Sequence, residues 1–253
     1  GVLDCFTLGM MAFNLRDAGT PRNDGVGTAG RLAWHPINTD MTTFHLGTSL
    51  SFENANQNSS DLTAEADYAG RRGPSQLMAV SPGDLGRTAT TATLELAGSH
   101  GPLYIQSEYT VGSFEGDYYV SERVFENWFG APAPFACDPQ FGCYIADQDI
   151  HTWYVQGSWM ITGEHKPYST KRGAFSSAKP AGTGLWGGAW ELTARYDTME
   201  NRDIHNLQAS SAIIGLNFYA NRNVRFMANY IFGDDDFTGD KTNQFGLRAQ
   251  ISW

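Results

Sequence analysis

The sequence predicts an all-β protein, a transmembrane antiparallel β-barrel, from three observations. Apolar and polar residues alternate in segments of about ten residues, which is the length of a barrel strand in a membrane. Trp and Tyr residues gather near the ends of these segments, as in an interfacial aromatic belt. The connections between segments alternate between short and long, as they do in barrels that span a membrane.

The last segment shows the alternation most clearly. Its apolar residues are Phe245, Leu247, Ala249, Ile251 and Trp253, and the residues between them are small or polar. Because successive side chains of a strand point to opposite faces, this pattern predicts one lipid-facing side and one water-facing side. A closing barrel strand with an aromatic residue at the bilayer interface accounts for it.

Nine further segments precede it, so we predict ten strands in all. The first is the weakest and covers about residues 2–13. The apolar members of the other eight are, in chain order, Leu32 and Trp34; Phe44, Leu46, Leu50 and Phe52; Leu94 and Leu96; Leu103, Ile105, Tyr109 and Val111; Trp153, Val155, Trp159 and Ile161; Trp190, Leu192, Ala194 and Tyr196; Ala212, Ile214, Leu216 and Phe218; and Val224, Phe226, Ala228, Tyr230 and Phe232.

The connections predict the orientation of the strands. The short ones cover residues 37–41, 98–102 and 220–223, and the long ones cover residues 14–28, 54–87, 112–149, 199–206 and 233–243. Barrels of the outer membrane place short turns in the periplasm and long loops outside. The connection 164–185 is an exception, because it is long and yet falls on the short-turn side. A soluble sandwich is the alternative, but its strands usually have only about five or six residues.

Composition excludes several classes of protein. The chain has 253 residues, of which 17% are charged. No stretch approaches the roughly 18 apolar residues that a membrane helix requires, so a helical membrane protein is excluded. The net charge of -10 argues against a nucleic-acid partner, which requires a basic face.

The cysteines leave one question open. Cys137 and Cys143 enclose five residues that include turn formers, and in an oxidising compartment they could form a disulfide or remain thiols. A zinc site is not predicted, because no second Cys or His pair follows at the spacing of a finger. We predict no metal and no cofactor.

Several segments carry a resemblance to a known family. They are GRLAWHP at residues 30–36 with FHLGTS at 44–49, WYVQGSWMITGE at 153–164 with Pro167 and Tyr168 behind it, GAWELTARY at 188–196, and LRAQ at 247–250. Together they resemble the phosphate-selective porin O and P family, in the same order and over most of the chain.

The resemblance implies a fold, a location and partners. Members of that family are sixteen-stranded outer-membrane porins that form homotrimers, in contact with outer-membrane lipid and lipopolysaccharide. We therefore expect residues 1–253 to form a single β-barrel domain, the last ten strands of a longer porin. A complete ten-stranded barrel is the alternative, and its lumen would be largely filled by side chains.

The resemblance also implies a function, the passive diffusion of small anions such as phosphate through a water-filled channel. In the family, an inward-folded loop after the ninth strand contributes basic residues to the passage. Here that loop is residues 54–87, with Arg71, Arg72 and Arg87 as the candidate pore-lining residues. The alternative is a solvated surface loop with three ordinary arginines.

The alternation adds charged residues on the water-facing side of the wall. Arg31, Arg195, Arg225 and Arg248 point inward, and so do Glu53, Glu95, Glu108, Glu191 and Asp197. The wall is mixed, so phosphate selectivity comes from the resemblance and not from charge. Glu191 and Arg195 lie about 13 Å apart along one strand, so each needs another partner.

Two loops have less specific charge patterns. Lys166, Lys171, Arg172 and Lys179 lie in the connection 164–185, and we favour a solvated loop over a guide for anions. The acidic residues Asp234, Asp235, Asp236 and Asp240 are expected in a hydrated external loop rather than in a divalent-cation site.

Two other functions were considered. An enzyme on a barrel requires a nucleophile with a base, and the chain has no Gly-x-Ser-x-Gly elbow and no His-Glu-x-x-His motif, so no enzyme is predicted. A non-conducting or non-selective barrel that acts as a surface receptor or anchor is the remaining alternative, in view of the long connection at residues 113–149.

Overall fold

The computed structural model describes residues 5–15, 25–55, 61–70 and 72–252. It contains sixteen strands and two short helices in these ranges, with a 3-10 turn at Gly83–Leu85. In chain order they are β1 (Phe6–Leu15), β2 (Gly25–Asn38), β3 (Thr42–Ala55), β4 (Leu62–Ala66), β5 (Gln76–Ser81), β6 (Thr88–His100), β7 (Leu103–Phe114), β8 (Tyr118–Val120), α1 (Glu122–Phe129), β9 (Cys143–Ile145), β10 (Gln148–Met160), β11 (Tyr168–Ser169), β12 (Ala174–Phe175), α2 (Gly184–Gly187), β13 (Ala189–Asn201), β14 (Gln208–Tyr219), β15 (Val224–Asp235) and β16 (Asp240–Ile251).

Ten long strands form one antiparallel sheet, which confirms the all-β prediction. Their spatial order is β1-β2-β3-β6-β7-β10-β13-β14-β15-β16, so each long strand pairs with the next one along the chain. The six short strands form three separate hairpins in the connections. Within the described ranges no ladder joins β1 to β16, and these two strands are the edges of the sheet.

The apolar side of this sheet faces outward, as the alternation predicts. Trp153, Leu192 and Leu247 are 40%, 43% and 75% exposed. Side chains on the other side, such as His45 and Glu191, are buried. Because large apolar side chains cover the exposed face of a single wall, this is the surface expected in contact with lipid.

Several strand ends differ from the prediction, as the first strand and the last hairpin show. The first strand runs from Phe6 to Leu15 and not over residues 2–13, of which 2–4 lie outside the described residues. The last hairpin continues to the pair Asp235 and Asp240, so its loop is much shorter than residues 233–243. Backbone pairing continues past the apolar band because it does not depend on the polarity of the side chains. Trp253 lies outside the described residues.

The long loops fold into a compact layer at one end of the sheet. We call the hairpins β4–β5 and β8–β9 together with α1 the cap. Its apolar side chains pack against inward-facing residues near the strand ends, such as Phe114, Ile150 and Ala209. Met78, Val80, Phe125 and Phe129 are the largest apolar residues that are fully buried there, so the cap has a hydrophobic core of its own.

The helix α1 and a disulfide complete the cap. Ser121 caps α1, since its Oγ accepts a hydrogen bond from the Val124 N–H, and Gly130 ends the helix in the left-handed conformation. Cys137 and Cys143 are joined by a disulfide, which settles the question that their spacing left open. No helix in the described part of the chain is long and apolar enough to cross a bilayer.

Candidate permeation pathway

A segment of the chain covers part of the polar face of the sheet. Residues 161–188, which connect β10 to β13 and contain β11, β12 and α2, fold back against the inward-facing side chains of the wall. We call this segment the strap. It corresponds to the long connection at the short-turn end of the barrel, and two of its contacts with the wall involve charged side chains.

The first contact joins the strap to β2 and β6. Arg31 donates from Nε and Nη2 to the Glu95 carboxylate at 2.7 and 2.5 Å. The same guanidinium donates to the Gly173 carbonyl oxygen at 2.9 Å and to that of Arg172 at 3.2 Å. Arg31 therefore holds a carboxylate of the wall and the backbone of the strap with one planar group, the geometry for which a guanidinium is suited.

Tyr168 extends this contact. Its hydroxyl lies 2.8 Å from His45 Nδ1, and His45 Nε2 lies 3.2 Å from Glu95 Oε2. The Tyr168 ring packs against the rings of His35 and His45, with centroids 5.1 and 5.7 Å away. Burial raises the pKa of the Tyr168 phenol to about 12. The neutral phenol is thus the form that fits this site.

Gly173 allows the close approach of strap and wall. Its φ is +58°, and a Cβ at this position would lie 2.8 Å from the Ala33 Cβ and 3.2 Å from the Thr7 Cβ. A side chain would clash there and would also be strained by the backbone conformation.

The second contact is a buried ion pair. Lys166 Nζ lies 2.6 Å from Glu191 Oε1. The other oxygen, Oε2, accepts from Tyr219 Oη at 2.6 Å and from Asn217 Nδ2 at 2.9 Å. Lys166 also lies over the Tyr104 ring, 4.3 Å from its centroid. Each charge thus has partners, as buried charges require.

A cavity of about 490 Å³ lies between the strap and the wall, open to solvent. Lys166, Glu191, Arg195 and Arg225 provide its charged lining. Most of the other lining side chains are amides, hydroxyls and aromatic rings. Three cations and one carboxylate therefore face this cavity.

The inward-facing arginines divide into paired and unpaired groups. Arg195 donates to Asp197 at 2.7 Å, and its guanidinium lies 3.8 Å from the Tyr154 ring centroid. Arg225 donates instead to the amide oxygen of Gln250 at 2.8 Å. Among the residues that the structure describes, neither Arg225 nor Arg248 has a carboxylate partner.

Arg225 and Arg248 are also neighbours. Arg225 pairs with Gln250 across β15 and β16, and Arg248 lies two residues before Gln250 on the same face. Such diagonal positions are about 7–8 Å apart. These two positive charges stand together on the described inner face without an ion pair of their own. Glu191 is linked to Arg225 only through the Tyr219 hydroxyl, which lies 3.5 Å from Arg225 Nη1 and donates to the Glu191 carboxylate.

The structure describes two of the three loop arginines. Arg71 lies outside the described residues, and Arg72 is exposed. Arg87 lies 3.4 Å from Glu115 and donates to the Asp117 carbonyl oxygen at 3.0 Å, so its charge is already compensated.

The loop 54–87 does reach across the inner side. It leaves β3, and Gly70 nevertheless lies against Ile231 on β15 and Gln244 on β16. Tyr68 donates from its hydroxyl to Asp240 at 2.8 Å. The loop is thus not a free surface loop, since it forms the hairpin β4–β5 and packs within the cap.

The prediction of a solvated loop at residues 164–185 is wrong for Lys166, and the prediction that Glu191 and Arg195 each have another partner is confirmed. Lys166 does not belong to a solvated loop, because its ion pair with Glu191 draws it against the wall; Lys171 and Lys179 are exposed as expected. Glu191 and Arg195 have other partners, as their separation required. The signal that could have revealed the strap is its position, a long connection at the end of the barrel that otherwise has short turns.

The fold and this polar inner face define the wall of a β-barrel. The model of the family "Phosphate-selective porin O and P" matches residues 4–253. Porin O of Pseudomonas aeruginosa is 24% identical over 227 residues, which cover 81% of this chain and 49% of that protein. The outer-membrane expressed OmpT of Vibrio cholerae superposes with a TM-score of 0.42 at 12% identity, over 91% of this chain and 61% of that one.

The chain belongs to the phosphate-selective porin O and P family. It is an outer-membrane β-barrel protein of the porin type, and it spans about half the length of the curated relative that it matches. The resemblance seen in the sequence is confirmed.

Proposed function

We propose that this chain forms part of the wall of a water-filled channel for the passive diffusion of small anions, with phosphate and related oxyanions as substrates. The observation that carries the proposal is the neighbouring pair Arg225 and Arg248, which has no carboxylate partner in the described residues. A guanidinium binds phosphate oxygens in a bidentate manner, and an excess of positive charge raises the local concentration of anions.

The other inward cations contribute less to this field. Arg31, Lys166 and Arg195 each face a carboxylate at 2.7 Å or less. An ion pair has little net field at the distance of a passing ion, so these residues shape the passage and hold the strap. The net charge of -10 resides mainly in other parts of the molecule.

Reconstituted channels test the proposal by their reversal potential in a KCl gradient. The double variant R225Q/R248Q should lower the anion-to-cation permeability ratio at least several-fold, because one unit charge at about 4 Å in water already changes the free energy of an ion by about 1 kcal/mol. The matched control is R222Q, which removes an exposed arginine in the turn between β14 and β15. An unchanged ratio in the double variant would exclude the role of the pair.

In the loop 54–87, we keep as candidate pore-lining residues Arg71, Arg72 and Arg87. Neutral replacement of Arg71 and Arg72 should lower the same ratio if the loop lines the passage. The variant R87Q should have a smaller effect on the ratio, because Glu115 already compensates Arg87.

A second candidate, a non-conducting surface receptor or anchor, is supported by the cap. Its hydrophobic core packs over inward-facing residues at the long-loop end of the wall. Single-channel recording separates the two functions, since an anchor has no conductance whereas a porin has steps that grow with salt concentration.

The remaining parts of the proposal follow from the family. We propose a single barrel domain over residues 1–253, a homotrimer in contact with outer-membrane lipid and lipopolysaccharide, and no enzymatic activity. Cross-linking in native membranes measures the number of subunits.

A further inference from the structure

An aromatic cluster lies on the outside of the cap. Tyr119, Phe141 and Tyr144 are 56%, 62% and 47% exposed. The Tyr119 ring contacts both others, with centroids 6.0 Å from Phe141 and 5.1 Å from Tyr144. Three touching aromatic rings exposed to water leave a large apolar area uncovered, which marks a binding surface rather than a packing site.

The cluster is held rigidly. Tyr119 and Tyr144 are opposite each other in the hairpin β8–β9, and the disulfide Cys137–Cys143 closes the segment that carries Phe141. Asp138 accepts hydrogen bonds from the backbone N–H groups of Gln140 and Phe141. A ligand of this surface therefore meets rings that are already in place, which reduces the entropic cost of binding.

The cluster lies on the outward side of the wall. Tyr118, Cys143 and Ile145 on the opposite face of the hairpin are buried in one core with the inward-facing Phe114 and Ile150. The hairpin β8–β9 continues the pair β7–β10, since the Asp117 N–H donates to the Ile145 carbonyl oxygen at 2.8 Å. Because successive residues of a strand alternate between faces, Tyr119 and Tyr144 lie on the side away from this core, which continues the outward side of β7 and β10.

Its height places it beyond the hydrocarbon. The outward side of β7 and β10 becomes polar at the register pair Ser113 and Asp149, both exposed. Tyr144 lies five residues from Asp149 in the direction away from the apolar band, in the hairpin beyond the end of β7 and β10. The aromatic rings thus lie past the apolar band of the wall, at the level expected for the sugars of the outer leaflet.

We propose that Tyr119, Phe141 and Tyr144 form a stacking platform for the core sugars of the outer-leaflet glycolipid. The C–H groups of a pyranose carry a small positive charge and pack on the electron-rich face of an aromatic ring. Asp117 lies beside the platform, where its carboxylate accepts from the Tyr144 hydroxyl at 3.0 Å and adds acceptors for sugar hydroxyls. The proposal rests on the outer-membrane location and is independent of ion conduction.

Binding of fluorescently labelled glycolipid to the full-length protein in detergent tests the proposal. Two probes are compared: rough lipopolysaccharide, which carries the core sugars, and lipid A, which lacks them. The variant Y119A/F141A/Y144A should lose about tenfold in affinity for the rough form and keep its affinity for lipid A. The variant Y119F/Y144F, which keeps the rings, should bind both as the wild type does.

A matched control separates this site from general contact with lipid. The variant Y230A/F232A/F245A removes three exposed aromatic residues from the wall and should not change the preference for core sugars. Heat-modifiable mobility in gels verifies that each variant is folded. Equal loss for both probes, unchanged binding by the triple cap variant, or a change in oligomeric state alone would each overturn the proposal.

Discussion

The two ends of the barrel wall are closed by different forces. The strap, at the short-turn end, is attached by ion pairs and hydrogen bonds of Arg31, Lys166 and their carboxylate partners. The cap, at the long-loop end, is attached by an apolar core that includes Phe125 and Phe129, with a disulfide on its outer side.

This difference has a physical reason. The strap lies along the polar inner face of the wall beside a cavity that is open to solvent, where polar groups can be solvated on one side and paired on the other. The cap surrounds buried apolar side chains such as Phe125 and Phe129, so it can exclude water and gain from burial. We expect the strap to respond to pH and to the loss of single charges, and the cap to respond to the loss of volume.

The largest effect is expected in the core of the cap. The change F125A removes a fully buried ring and should destabilise the cap by about 3–5 kcal/mol. Hydrogen exchange of the α1 amides measures the loss, with the exposed E126A as control. Equal exchange rates in both variants would mean that the cap is held by something other than its core.

A somewhat smaller effect is expected at the strap. The change E191A leaves Lys166 without its buried partner and should weaken docking of the strap by about 3 kcal/mol. Limited proteolysis between residues 170 and 180 detects the released segment. The control is E200A, on the same strand but half-exposed.

A double variant sharpens this test. K166M/E191L replaces both charges, so no uncompensated charge remains, and the loss should be smaller than for E191A alone. If the double variant is cleaved as fast as E191A, the ion pair itself is the main attachment.

A third effect concerns the close approach at Gly173. The change G173A introduces a Cβ 2.8 Å from that of Ala33 and an unfavourable left-handed residue, at a cost of about 1–2 kcal/mol. Proteolysis of the strap should become faster, whereas G163A, whose added Cβ has open space around it, should suffer only the strain of its own backbone. Undocking of similar size in both variants would show that contact with the wall is unimportant.

The smallest effect is a pH dependence at alkaline pH. The pKa of Tyr168 is raised from 10 to about 12, first by burial. A raised pKa stabilises docking below pH 10, and this contribution is lost as the pH rises through about 12. Proteolysis of the strap should accelerate between these values in the wild type and show no such step in Y168F. A step of equal size in Y168F would assign it to another group.

Sequence patterns were sufficient to predict the strands of the wall and the side to which their residues point. The outward positions of Trp153, Leu192 and Leu247 follow from alternation alone, because the two faces of a strand differ locally in sequence. The register of the hairpins with short connections follows in turn from those connections. The inward direction of Arg31, Arg195 and Arg225 was therefore predictable.

The partners of these charges were not predictable. Arg31 meets Glu95, which lies on β6, two strands away in the sheet. Lys166 meets Glu191 only because the strap folds back, and no local pattern near Lys166 distinguishes it from the exposed Lys171. Alternation shows on which face a charge lies, but not its neighbour on that face.

The sequence by itself determined an antiparallel wall with one apolar and one polar face, since period-two alternation is a property of neighbouring residues. Only the tertiary structure decided which inward-facing cations lie against a carboxylate and which do not. The pairing of each cation depends on residues far apart in the chain. The strap and the lateral order of the strands bring these residues within a few ångströms of each other.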